Sequence, residues 1–264
     1  MKRAEQILKK PPTIRLGVSS CLIGEAVRYD GGHKRDRIVR SVLGRFAEWV
    51  PVCPELEAGL GVPRPPMRLV RDERGVRLVE VASGRNHTRA LARVTAARVR
   101  ALRALDLCGY VLKKDSPSCG IERVPLYARG RARARLSGVG VFARGLREAF
   151  PDLPVIDESQ LRDPALREQF IERAFAYARV RALFRGRWKI ADVLAFQAAH
   201  ERELRARAPA RCRELARLVE NAAGTPRARL RDRYTAGFMA ALARRPRLHA
   251  PPRPADSRDQ RARG

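Results

Sequence analysis

Lys113-Lys114-Asp115-Ser116-Pro117-Ser118-Cys119-Gly120 follows the apolar run Tyr110-Val111-Leu112. A strand therefore ends in a Ser/Pro/Gly turn that presents one cysteine. Open α/β sheets place their chemistry outside the carboxyl ends of their strands. Two further segments repeat the arrangement. Ile14-Arg15-Leu16-Gly17-Val18-Ser19-Ser20 runs into Cys21 and Gly24, and Val50-Pro51-Val52 runs into Cys53-Pro54-Glu55. Three strand-like segments that each deliver a cysteine predict one three-cysteine site.

Outward from these strands the pattern alternates. The turn-rich Arg28-Tyr29-Asp30-Gly31-Gly32-His33 follows Cys21, and helical spacing of Val39, Val42, Leu43 and Phe46 predicts a helix from Val39 toward Trp49. Gly59 to Pro66 is too rich in Pro and Gly for regular structure. Gly75 to Val81 alternates as a short strand does, and Thr88 to Leu105 is long and amphipathic. Arg123 to Ser137 holds five arginines among Ala and Gly, which predicts a hairpin or a basic loop. Val139 to Phe150 then reads as a helix and Pro154-Val155-Ile156 as a last strand. Strands and helices in alternation predict an α/β fold with an open, doubly wound sheet over residues 13–157.

From residue 158 the signal is helical only. Leu161 to Phe184, Trp188 to Ala206, Arg211 to Asn221 and Arg227 to Leu242 carry helical patterns, so residues 158–245 predict a smaller all-α domain. Residues 246–264, with Pro251-Pro252-Arg253-Pro254, predict a disordered basic tail, and residues 1–12 a basic lead.

Composition narrows the function class. No apolar run approaches the roughly 18 residues that a membrane span needs, and Met1-Lys2-Arg3-Ala4-Glu5 is not followed by an apolar signal core. A cytoplasmic protein is expected. Five cysteines in a reducing compartment point to metal or catalytic use rather than to disulfides. The net charge is +28. Arg (49) far exceeds Lys (7), a composition bias, but that bias does not explain twice as many bases as acids. A polyanionic partner, most simply nucleic acid, is implied.

Cys21, Cys53 and Cys119 are the candidate metal ligands, spaced by 32 and 66 residues, which matches no zinc-finger pattern. Three thiolates leave one metal position open. A structural zinc is normally closed by four ligands, whereas an iron–sulfur cluster held by three cysteines exposes one iron. Buried structural cysteines are the plain alternative, and core packing is the expected role of Cys108. Cys212 falls in the helical half. His33, His87 and His200 are expected to be loop, core or capping residues.

Five motifs in order, Val18 to Gly24, Arg28 to Gly32, Val52 to Glu55, Pro63 to Pro66 and Ser116 to Gly120, resemble the thiouracil desulfidase family over about residues 14–157. The resemblance implies a [4Fe-4S] cluster held by Cys21, Cys53 and Cys119, with the fourth iron free to take substrate sulfur. Leu194 to His200 and Tyr234 to Leu242 resemble a helical domain of unknown function often fused to that desulfidase. Glu201 departs from it, where a base is usual. Such fusions resemble enzymes that remove sulfur from 4-thiouridine in tRNA.

On that resemblance Glu55, two residues from a proposed ligand, is the candidate for directing an attacking water, and Ser116 for bonding the base or the departing sulfur. Ser20, Arg28, Arg64, Lys113 and Ser118 are candidate substrate contacts. The implied partner is a thiolated nucleobase, in tRNA or as a free nucleoside or base. The rival is a nucleic-acid-binding sensor whose iron–sulfur cluster does no chemistry. A zinc-stabilised α/β binding module is a third reading.

Overall fold

The computed structural model describes residues 13–244. The basic lead and the tail expected after residue 245 lie outside the described residues.

The first sheet is parallel throughout. β1 (Ile14–Ser19) is followed by two short helices, α1 (Ser20–Ile23) and α2 (Arg37–Ser41), and then by β2 (Ala47–Val52). The helix expected from Val39 toward Trp49 is shorter, because a single 3-10 turn at Leu43–Arg45 intervenes before β2 begins. Asp36 caps α2 by accepting from Val39 N. After β2 come α3 (Pro54–Glu57), β3 (Met67–Asp72), β4 (Gly75–Glu80), α4 (Thr88–Arg103) and β5 (Gly109–Leu112). Then β6 (Val124–Ala128), β7 (Ala134–Gly138), α5 (Val141–Ala149) and β8 (Val155–Asp157) follow. The parallel sheet has the order β2-β1-β5-β8.

Helices cover both of its faces, as a parallel sheet requires. Leu16, Val18 and Val111 pack with Val39 and Leu43 and with Phe170 and Ala174 of α6 (Pro164–Leu183). On the other side Tyr110 meets Phe142 of α5 at 5.8 Å between ring centroids. Gly17 pairs with Tyr110 in register. A Cβ at Gly17 would run into that ring, so only glycine lets the tyrosine lie across β1.

The remaining strands build a second sheet, order β4-β3-β6-β7, that was not anticipated as a separate layer. Two hairpins supply it, one from each long crossover of the first sheet, and β3 and β6 join them in parallel. Leu69, Leu78, Leu91, Val124 and Leu126 form its own core.

The chain divides into two compact units, Met1–Trp188 and Lys189–Gly264. This division is later than the boundary expected before residue 158. Phe170 and Ala174, one helical turn apart on α6, belong to the core of the α/β unit, so the first long helix is part of that unit. In the second unit, α7 (Ile190–Arg207), α8 (Pro209–Glu220) and α9 (Arg227–Leu242) pack on one another. Tyr234 donates to the buried Gln197 at 2.7 Å, and His200 stacks on Phe196. No helix among the described residues is long and apolar enough to cross a membrane.

Candidate active site

The connection out of β1 leads to β2 on one side, and β5 lies on the other. The crevice at such a reversal of strand order is the usual ligand site of an open α/β sheet. Each strand end supplies a cysteine there. Cys21 sits in the one-turn α1, which closes on Gly24 at φ 108°. Cys53 is the residue that starts α3, and Cys119 ends the loop after β5. All three line one cavity of about 380 Å³, together with Glu55 and Ser116.

The loop that presents Cys119 is held by a closed set of hydrogen bonds. Lys113 N donates to Ser19 Oγ at 3.0 Å, which ties β5 to β1. Ser116 Oγ accepts from Ser118 N at 3.2 Å and from Cys119 N at 3.0 Å, while Gly120 N donates to Ser116 O at 2.8 Å. The carbonyls of Pro117 and Ser118 in turn accept from Val141 N and Phe142 N at 3.2 and 2.9 Å. These are first-turn amides of α5 that have no partner within their own helix. Loop and helix thus satisfy each other, and Cys119 is fixed by both.

Glu55 is gripped at both carboxylate oxygens. Ser118 Oγ donates to Oε1 at 2.6 Å. Arg64 donates to Oε2 from Nε at 2.9 Å and from Nη2 at 2.5 Å. The same guanidinium donates from Nη1 to Gly61 O at 2.8 Å and from Nη2 to Val27 O at 3.0 Å. Its own backbone amide donates to Tyr29 O.

Two of the residues expected to touch substrate also hold Glu55. Arg64 is buried and directs its donors to Glu55 and to two carbonyls, and Ser118 is 0% exposed. Both position Glu55. Arg64 lines the cavity, as do the other expected contacts Ser20, Arg28 and Lys113, whereas Ser118 does not. Arg28 is paired with Asp30 at 3.0 Å, and Lys113 Nζ reaches Glu158 Oε1 at 2.5 Å.

Glu158 was missed by sequence reasoning. Its Oε2 also accepts from Lys114 N at 2.7 Å, so it clamps the start of the cysteine loop. The signal was available, since Glu158 directly follows the last residue of β8 and is therefore the fourth strand-end residue of the same sheet. Lys34, also on the cavity wall, lies in an irregular loop and carried no such signal.

His33, His87, Cys108 and Cys212 do not line the cavity. His87 pairs with Glu80 at 2.7 Å, and Cys108 Sγ donates to Asp106 O at 3.4 Å.

Burial pushes the Cys21 thiol up to about 11 and the Cys119 thiol well above its ordinary value, and it raises Cys53 as well. Such thiols ionise only when a cation compensates the charge. Three soft sulfur donors around one cavity suit a thiophilic iron centre. Three thiols that line one cavity fit a cluster held by three cysteines.

The model of the 2-thiouracil desulfurase family matches residues 16–158. The chain belongs to that family. The matched stretch covers all but the first two residues of the parallel sheet, the second sheet and every residue that lines the cavity. Among curated proteins, the uncharacterized protein YbbK of Bacillus subtilis (strain 168) is 30% identical over 151 residues, 55% of this chain and 97% of YbbK. Among solved structures, the [4Fe-4S]-dependent thiouracil desulfidase TudS matches at 30% identity and a TM-score of 0.46, over 60% of this chain and 97% of TudS. The helical unit lies outside the desulfurase match.

Proposed function

We propose that this desulfurase acts on 4-thiouridine in tRNA, yielding uridine and sulfide, with a [4Fe-4S] cluster held by Cys21, Cys53 and Cys119. The observation that carries this reading is the meeting of three strand-end thiols and Glu55 on one cavity wall. Bound there by three cysteines, the cluster supplies one open iron, a soft Lewis acid matched to a thiocarbonyl sulfur.

The chain's own residues do the rest. Glu55 takes a proton from water as the water oxygen adds to the ring carbon that bears sulfur. Ser118 and Arg64 keep that carboxylate in one orientation. Ser116 stands on the cavity wall with its oxygen already accepting two amides, so what it offers a substrate is its O–H proton. Loss of sulfide restores the carbonyl. One water is consumed and no electrons are exchanged.

The net charge of +28 supports a polyanionic substrate over a free base. The reduced thiols that a cluster requires suit a cytoplasmic location.

The test is anaerobic reconstitution followed by incubation with tRNA that contains 4-thiouridine, reading thionucleoside absorbance and released sulfide. Turnover that disappears in Cys21→Ala, Cys53→Ala and Cys119→Ala is the expected result. Iron-loaded protein that binds this tRNA and leaves it unaltered would replace the enzyme with the sensor.

A further inference from the structure

The second sheet carries a feature that the desulfidation chemistry does not use. The β6–β7 hairpin, residues 123–138, holds five arginines and no acid. Arg131, Arg133 and Arg135 line, with Arg71 of β3, a cavity of about 1030 Å³. All four are exposed.

Several other arginines of this unit are paired with carboxylates. Arg64 meets Glu55, Arg77 meets Asp72, Arg98 meets Glu57, and Arg181 and Arg185 share Asp106. Among the described residues no carboxylate forms an ion pair with Arg71, Arg131, Arg133 or Arg135. Like charges gathered around one concave surface repel one another and focus a positive potential, which an incoming anion relieves.

The arginine cavity shares a strand with the cysteine cavity. Met67, at one end of β3, lines the cysteine cavity, and Arg71 lines the arginine cavity. Four residues of strand at roughly 3.3 Å each separate the two by about 13 Å. β6 runs parallel to β3 and leaves from the same side, a few residues after Cys119. One strand pair therefore links the two cavities within a single unit.

We infer that the arginine cavity binds the phosphodiester backbone of an RNA strand whose thiolated base occupies the cysteine cavity. The inference rests on the desulfidase reading for the identity of the base, and on the unpaired arginines for the grip. A free base spans the first cavity alone and gains nothing from the second. A nucleic acid spans both.

The test uses the full-length protein loaded with its cluster, and two readouts. The first is the affinity of an unmodified tRNA transcript, measured by fluorescence anisotropy across a salt series. The second is turnover of free 4-thiouracil. In R131Q/R133Q/R135Q, transcript affinity is expected to fall at least about tenfold and the slope of log affinity against log salt to drop by about 2 to 3. Turnover of the free base is expected to be unchanged, and R131K/R133K/R135K to retain most of the affinity. Unchanged transcript affinity in the Gln variant, or a Lys variant that loses as much as the Gln variant, would overturn the inference. Because the binding arm needs no turnover, it judges the arginine cavity even if the desulfidase reading fails.

Discussion

Ser118 donates its hydroxyl proton to Glu55 at 2.6 Å, across 63 residues of sequence, and neither strand-end loop alone orients that carboxylate. The bond joins the loop of Cys53 to the loop of Cys119. Two cysteine-bearing loops are thereby locked to each other through the residue proposed to act on water.

Removing that proton tests the lock. Ser118→Ala is expected to lower kcat by about 10- to 100-fold with little change in KM, because Ser118 does not line the cavity. The cost in stability should be about 1 kcal/mol, a shift of a few degrees in a thermal melt. A normal kcat would show that Glu55 needs no orientation from this side.

Arg64 is the other holder, and its removal leaves a largely buried carboxylate without its ion-pair partner. Arg64→Met should destabilise the protein by about 3 to 5 kcal/mol, read from urea denaturation. Arg64→Lys should recover only part of this, since an ammonium does not reproduce the planar fork that reaches Glu55, Gly61 and Val27 together. Adding Glu55→Gln to Arg64→Met should restore much of the loss, a coupling that a double-mutant cycle measures.

Gly140 is tight against the cysteine loop. A Cβ there would lie 2.5 Å from the Ser118 carbonyl and 2.8 Å from Cys119 N, backbone atoms that cannot swing aside as a side chain can. Gly140→Ala is expected to cost about 1 to 3 kcal/mol and to lower the iron retained per chain after gel filtration. Full iron content in a well-folded variant would mean that the loop adapts without moving Cys119.

Cysteine variants separate ligands from packing. Ser at position 21, 53 or 119 should each abolish the brown colour and the bound iron after anaerobic reconstitution. Cys108→Ser and Cys212→Ser should keep both, since those thiols are buried away from the cavity. Iron retained by any of the first three variants would remove that residue from the ligand set.

What could be read along the chain is local. Each cysteine follows an apolar strand-like run, and in β5 the consecutive Tyr110, Val111 and Leu112 are all buried, as a strand covered on both faces is. The five arginines between Arg123 and Ser137 marked a hairpin or a basic loop, and the hairpin formed. Apolar periodicity placed the four long helices to within a few residues of their observed ends.

Periodicity says that a face will be buried but not against what. The apolar face of α6 suits a helical domain as well as it suits the α/β sheet, and only the packing of Phe170 and Ala174 against β1 and β5 decides for the sheet. The second sheet depends on β3 meeting β6, two segments more than fifty residues apart whose pairing no local signal specifies.

Which residue types reach the strand ends is legible along the chain: three thiols, a carboxylate two residues beyond one of them, and hydroxyls beside another. Strand and turn propensities act over a handful of neighbours, so these placements are local. What those residues do to one another depends on packing. Arg64 and Ser118 turn inward to Glu55, and Glu158 reaches Lys113, because burial leaves each polar group only the partners that the fold brings within about 3 Å.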